Sequence, residues 1–197
     1  MQIGFRNAKT TPTITQDQRL AWLKELLNGD SESLPYRVAG VLLLLYAQPL
    51  TKIAALQSTA VSQSRGETCI ALGKHPVPVP EPFASQLNYH LRHRPNLRTA
   101  GGAVGTPWLF TSNRPGRHID PQAIMMRLRA LGINLQGARN TALRELVSAM
   151  PAPLVAEMLG HSDKVTQKHV AEAGNTGPNT RPAMTVQTLH DEDLDER

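Results

Sequence analysis

Arg139, two residues before Thr141, and His161, just after Gly160, are residues whose types could handle an anion and a proton. A guanidinium presents a planar fork of N–H donors that matches a phosphate. An imidazole moves protons near neutral pH. His169 lies eight residues beyond His161, and Lys52, Lys74, Arg114 and Arg117 supply further cations. Each has an ordinary reading as well. Arg139 reads equally as an exposed helix arginine, His161 as a capping residue after Gly160, and His169 as a solvent-facing helix residue. Arg114, Arg117 and His118 flank Pro115-Gly116, which also suits a solvated turn. No CxxC motif and no His/Cys cluster at metal-ligand spacing occurs, so neither a metal nor a cofactor is expected. The lone Cys69 allows no intramolecular disulfide.

Helices must position most of these groups. Thr15-Gln16-Asp17-Gln18 has capping-box form, and Leu20, Leu23 and Leu27 follow at helical spacing until Asn28-Gly29-Asp30. Ser33-Leu34-Pro35 opens a second helix that carries the apolar run from Val38 to Ala47 and stops before Pro49. A short helix is predicted over 51–56. Residues 67–79 read as a small hairpin or edge pair, with Gly73-Lys74-His75 at the turn and prolines that cannot donate within a central strand. Pro80-Glu81 opens a helix with Phe83, Leu87 and Leu91 on one face. Residues 95–107 read as a surface loop, and Trp108-Leu109-Phe110 as a buried anchor. Asp120-Pro121 caps a helix carrying Ile124, Leu128 and Leu131, ended by Gly132. Three closely packed helices follow at about 136–149, 152–159 and 164–173. The expected class is α+β, mainly α-helical, with one small antiparallel sheet or hairpin. Its expected division is an irregular segment over 1–14, one domain over 15–174 and a disordered tail over 175–197.

Two stretches resemble the tyrosine recombinase (phage integrase) family. Leu44-Leu45-Tyr46-Ala47-Gln48-Pro49-Leu50-Thr51-Lys52-Ile53-Ala54-Ala55-Leu56 is similar to the family's Leu-Leu-Tyr-Ala-Thr-Gly-Leu-Arg-Val-Ser-Glu-Leu, which carries its first catalytic arginine. Gln136-Gly137-Ala138-Arg139-Asn140-Thr141, followed by Leu159-Gly160-His161-Ser162, resembles the family's His-x-x-Arg-His-Thr and Leu-Gly-His-Ser ahead of the tyrosine helix. The hairpin at 67–79 and the stretch from Trp108 to Ser112 fall where the family has its sheet and the segment after it. The resemblance covers roughly residues 34–173.

The resemblance implies a DNA-breaking and rejoining chemistry. A tyrosine attacks a phosphodiester, two arginines and often a hairpin lysine hold the non-bridging oxygens, and histidines handle protons. Position by position, the match is partial. Arg139 falls on the second arginine and His161 on the histidine of Leu-Gly-His. Thr51 occupies the first arginine position, with Lys52 beside it, and Gln136 occupies the first histidine position. Lys74 lies in the hairpin turn. The tyrosine position holds Val170, with His169 one place earlier. The only tyrosines are Tyr36, Tyr46 and Tyr89.

The expected function is therefore double-stranded DNA binding by a degenerate, non-cleaving relative of site-specific recombinases. Arg139 and His161 are its site residues, with His169 near the nucleophile position. Thr51, Lys52, Lys74, Arg114, Arg117 and Gln136 are DNA contacts. Other recombinase subunits are candidate partners, one of which could supply a tyrosine. A histidine nucleophile at His169 is a further option. Family members usually carry a helical core-binding domain that residues 1–33 are too few to form, so a fragment or a decayed gene product is expected. Two competing functions stand beside this one. The first is a helix-turn-helix regulator using residues 152–173, with Val165–Ala171 as the reading helix. The second is an interaction module without nucleic-acid contact.

Charge suits a polyanionic partner, nucleic acid being the commonest, and equally a basic protein with no such partner. The formal net charge is +5 and the sequence pI about 9.7. The last eight residues hold five of the 16 acids and one of the 21 bases, so 20 bases face 11 acids elsewhere, leaving +9. That acidic end is read as a solvated tail. The longest apolar run is too short to span a bilayer and no signal peptide is visible, so no membrane association and a cytoplasmic location are expected.

Overall fold

The structure, a computed structural model, describes residues 12–64, 66–94, 106–114 and 116–174. The expected surface loop over 95–107 lies mostly outside these residues, and the expected tail over 175–197 entirely so.

The capping box forms as its spacing requires. Thr15 Oγ1 accepts from the Gln18 backbone at 3.1 Å, and Gln18 Oε1 accepts from the Thr15 backbone at 3.0 Å. Helix α1 (Gln16–Asn28) then runs to Gly29. Its inward face is Arg19, Leu23 and Leu26, whereas Leu20 is exposed, so the buried stripe is rotated from the one the leucines alone suggest.

Helix α2 (Leu34–Tyr46) is the centre of the domain and is buried on every side from Val38 to Leu44. An all-round apolar helix must be wrapped by others, and α1, α4 (Phe83–His93), α5 (Pro121–Ala130) and α6 (Leu135–Ala149) all pack against it. It stops at Ala47, which takes a left-handed conformation at φ 54 ahead of Pro49. Helix α3 (Leu50–Ala54) follows at once.

The hairpin is part of a larger sheet. Three antiparallel strands, β1 (Val61–Ser64), β2 (Glu67–Ile70) and β3 (Val77–Pro78), lie in that order. Val61 faces Ile70 across the first pair, and Ile70 faces Val77 across the second. Strand β1 has one apolar residue in four and is exposed over residues 62–64, so nothing in its periodicity marks it; pairing with β2 makes it a strand. Pro78 sits on the edge strand, where its missing N–H costs nothing.

Helix α4 (Phe83–His93) buries Phe83, Ala84, Leu87 and His90. Leu109 and Phe110 are buried as expected, while Trp108 is only half-buried. Asp120 caps α5 (Pro121–Ala130) by accepting from the Gln122 backbone. The chain then folds α6 (Leu135–Ala149), α7 (Ala152–Leu159) and α8 (Asp163–Gly174) into a packed group. Residues 12–14 are not loose. They are strapped to α6 by Asn140 Nδ2 on the Pro12 carbonyl at 2.8 Å, and by Thr141 Oγ1, which both donates to the Ile14 carbonyl and accepts from its N–H.

Candidate nucleic-acid interface

The end of α2, the start of α6 and the turn between α7 and α8 meet at one place. Their meeting is built on backbone carbonyls. Gln48, almost wholly buried, donates from Nε2 to the carbonyls of Leu159 at 2.9 Å and Tyr46 at 3.3 Å, tying the end of α2 to the end of α7. Gly160 turns the chain out of α7 at φ +64, a conformation that glycine reaches without a steric penalty. The turn after β2 packs tightly on the same corner. A Cβ at Gly73 would lie 2.5 Å from the Gly160 nitrogen, and the Lys74 backbone N–H donates to the Glu157 carbonyl at 2.8 Å.

Onto this frame the structure places three cationic or titratable side chains. Arg139 donates from Nε to the Ala47 carbonyl at 2.9 Å. Its two terminal nitrogens bond no described residue. Burial lowers its pKa from the ordinary value, without bringing an arginine near neutrality. His161 donates from Nε2 to the Tyr46 carbonyl at 3.4 Å. Lys52 Nζ donates to the Gly160 carbonyl. Arg139, His161 and Lys52 thus hang from the adjoining carbonyls of Tyr46, Ala47 and Gly160. Sequence separations of 87 and 22 residues are closed in doing so.

The electrostatics fit a site waiting for negative charge. The pKa of His161 is pushed down to about 4, chiefly by burial and further by its neighbours Arg139, Lys52 and His169, while the Tyr46 carbonyl opposes the shift. The ring is neutral at pH 7, and with Nε2–H committed its Nδ1 is an acceptor. Beside Lys52 a hollow of about 270 Å³ opens, lined also by Gln48, Ile53 and Leu72.

The other expected site residues divide into two groups. Gln136 is exposed on the first turn of α6, one turn before Arg139 and on the same face. Thr51 is exposed on α3 beside Lys52. Lys74 stands at the edge of the corner, where its Nζ lies 3.5 Å from Glu157 Oε1. Arg114 and Arg117 join none of these contacts; they line a separate hollow with Trp108. His169 departs from its expected solvent-facing place. It is 5% exposed, on the face of α8 that also carries Val165 and Thr166, whereas Val170 is 43% exposed. The spacing of 165, 166 and 169 is that of a buried helix stripe, but only Val165 is apolar, so the stripe is hard to see in the sequence. Gln48 and Gly73 were also not foreseen. A polar residue ahead of a proline reads as loop, and only the stacking of α7 on the end of α2 buries it.

None of the three tyrosines is near α8 in the chain. Tyr46 is buried and donates its hydroxyl to the Pro78 carbonyl at 3.1 Å, so burial pushes its phenol well above the usual range. Tyr36 lies beneath the Arg127 guanidinium, and Tyr89 stacks on His93.

No protein-family model matches this chain, and no curated protein matches it. Solved structures do. XerH site-specific recombinase, in a post-cleavage complex with a palindromic difH substrate, superposes with a TM-score of 0.61 at 18% identity over 84% of this chain and 51% of the XerH chain. XerA recombinase gives a TM-score of 0.60 at 19% identity over 84% of this chain and 61% of its own. The Tn1549 transposon integrase, in complex with a circular intermediate DNA, gives 0.60 at 11% identity over 84% and 63%. The fold is thus that of the tyrosine recombinase catalytic domain: mainly helical, with a small three-stranded antiparallel sheet. The chain spans between about half and two thirds of the length of these recombinases. Among the described residues, no helix is long and apolar enough to cross a membrane.

Proposed function

We propose that this protein binds duplex DNA through the face formed by Arg139, His161 and Lys52, as a relative of the site-specific recombinases that does not cut the strand it holds. The observation that carries the reading is the convergence of those three side chains on the carbonyls of Tyr46, Ala47 and Gly160. Arg139 keeps its terminal N–H donors available for a phosphate, and Lys52 adds a point charge where Thr51 has replaced the family's first arginine. Gln136 extends the face along α6. Lys74 joins it once Glu157 lets go.

Cleavage needs a nucleophile. Val170 cannot act as one, and His169 is buried in the packing of α8. Without the covalent step, the remaining donors hold a phosphate and leave it intact. A helix-turn-helix reading of residues 152–173 would give the convergence no role, and Thr166 and His169 on its reading helix face inward. On the reading favoured here, the working unit is residues 15–174, with 175–197 as an appended tail. It acts in the cytoplasm and pairs on DNA with other recombinase subunits.

The test is a binding titration on short duplex DNA over a range of salt, beside a covalent-trapping assay on nicked duplex. Binding is expected to weaken with salt by a slope of roughly −0.9 per phosphate contacted, with no protein–DNA adduct. A flat salt dependence or no binding at low salt would remove DNA as the partner. An adduct would remove the non-cleaving part.

A further inference from the structure

The hollow at Trp108 lies outside the contacts described so far. It has a volume of about 700 Å³, within the range of small-ligand pockets. Its wall is aromatic: Trp108 and His118 meet edge to face, with ring centres 5.0 Å apart at 83°. Both rings are held. Trp108 Nε1 donates to the Gly116 carbonyl at 3.0 Å, and His118 Nδ1 donates to the Ile119 carbonyl at 2.7 Å. The loop that carries the rim closes on itself, with the Ser112 N–H on the Arg117 carbonyl at 3.0 Å and the Ile119 N–H on the Phe110 carbonyl at 2.9 Å. Leu109 and Phe110 anchor its base in the core. This is a fixed platform with half-buried rings.

Arg114 and Arg117 line the hollow, are exposed, and make no ion pair among the described residues. Asp120 lines it too. Its Oδ1 is taken by the Gln122 N–H, which leaves Oδ2 as an acceptor for an amine. Two guanidinium groups alone would suit any phosphate. Guanidinium groups beside an aromatic ring and a carboxylate suit a phosphate attached to a flat ring that carries N–H groups. A base stacked within a duplex has both faces covered, so the ligand must have a base out of the stack.

We propose that this hollow is a second nucleic-acid site, one that takes an unpaired nucleotide of a DNA strand. The base stacks on Trp108 with its edge toward His118, its phosphate lies between Arg114 and Arg117, and Asp120 accepts from a base N–H. A strand end, a nick or a flap supplies such a nucleotide. The site does not depend on the duplex face at Arg139.

The chain has two tryptophans, so Trp22→Phe in the full-length protein leaves Trp108 as the sole indole reporter. The probes are a short oligothymidylate and inorganic phosphate. The oligonucleotide is expected to quench Trp108 fluorescence saturably. The Arg114→Ala/Arg117→Ala double variant, whose side chains are exposed and whose fold circular dichroism can check, is expected to bind about tenfold or more weakly. Phosphate at the same concentration is expected to leave the signal unchanged. No saturable quench would overturn the site. So would competition by phosphate as effective as the oligonucleotide, which would leave an anion site only. A quench abolished by Arg139→Ala but indifferent to the loop variant would put the strand on the other face and overturn it equally.

Discussion

Arg139 Nε sits 2.9 Å from the carbonyl oxygen of Ala47, the residue at which α2 turns left-handed and ends. The bond fixes one edge of the guanidinium to the frame and leaves its two terminal nitrogens without a bond to any described residue. A lysine at this place would keep the charge and lose the fork. Arg139→Lys is therefore expected to weaken duplex binding about tenfold while leaving the slope of log affinity against log salt nearly unchanged. Arg139→Ala is expected to weaken it at least as much and to make the slope shallower by roughly 0.9. Fluorescence anisotropy on labelled duplex at several salt concentrations measures both. Equal slopes for the two variants would remove Arg139 from phosphate contact.

Lys74 offers a test in the opposite direction. Its ion pair with Glu157 is exposed on both sides, with 67% and 54% of the side chains accessible, so solvent screens it. Such pairs contribute roughly 0–1 kcal/mol. Glu157→Gln is expected to change stability by less than about 1 kcal/mol and to tighten duplex binding, because Lys74 is released and a negative charge leaves the corner. Adding Lys74→Ala should cancel most of the gain. Tight binding that persists in the double variant would mean that Lys74 never reaches DNA.

Much of this arrangement was legible in the residues, and what was hidden has physical causes. Thr15 and Gln18 announce a helix start because their bonds are local, and the run from Val38 to Leu44 announces a central helix because its burial is complete. The meeting of Arg139 with His161 was expected from motif order. Strand β1 was not, since Val61-Ser62-Gln63-Ser64 becomes a strand only by pairing with β2. Gln48 was missed for a related reason: its two acceptors are carbonyls 2 and 111 residues away. His169 shows the same limit, because a polar residue gives no sign in the sequence that the packing of α8 on α6 and α7 will bury it.

Acid should unfold this protein through its buried imidazoles. His90 is 2% exposed, stacks on Phe110 and donates from Nε2 to the Leu109 carbonyl; burial is the main cause that pushes its pKa down to about 4. An unfolded chain protonates the same ring near 6.5. Between those values the unfolded state binds more protons, so stability rises with pH. The contribution is complete above about 6.5, declines as pH falls toward 4, and is gone below that. For His90 alone the loss is about 3 kcal/mol. His161 acts with the same sign and, being partly exposed, with a smaller size. Urea midpoints from pH 7.5 to 4.5 should fall more steeply in the wild type than in His90→Gln, which has no proton to take up. Parallel curves would show that His90 is not held neutral by the fold.

Gly160 couples the frame to the site and allows the sharpest test of both. Its φ of +64 is costly for any residue with a Cβ, by roughly 1–2 kcal/mol. A Cβ there would also lie 2.9 Å from the Leu72 carbonyl and 3.2 Å from Lys52 Nζ. The β2 turn and the lysine would both have to give way. Gly160→Ala should therefore cost roughly 1–3 kcal/mol of stability and weaken duplex binding as well. If the binding loss works through Lys52, then Gly160→Ala should cost little further affinity in a Lys52→Ala background, and the double-mutant cycle should show a coupling of at least about 0.5 kcal/mol. Strict additivity in that cycle would mean that the bond from Lys52 to the Gly160 carbonyl does not set the position of the charge that meets DNA.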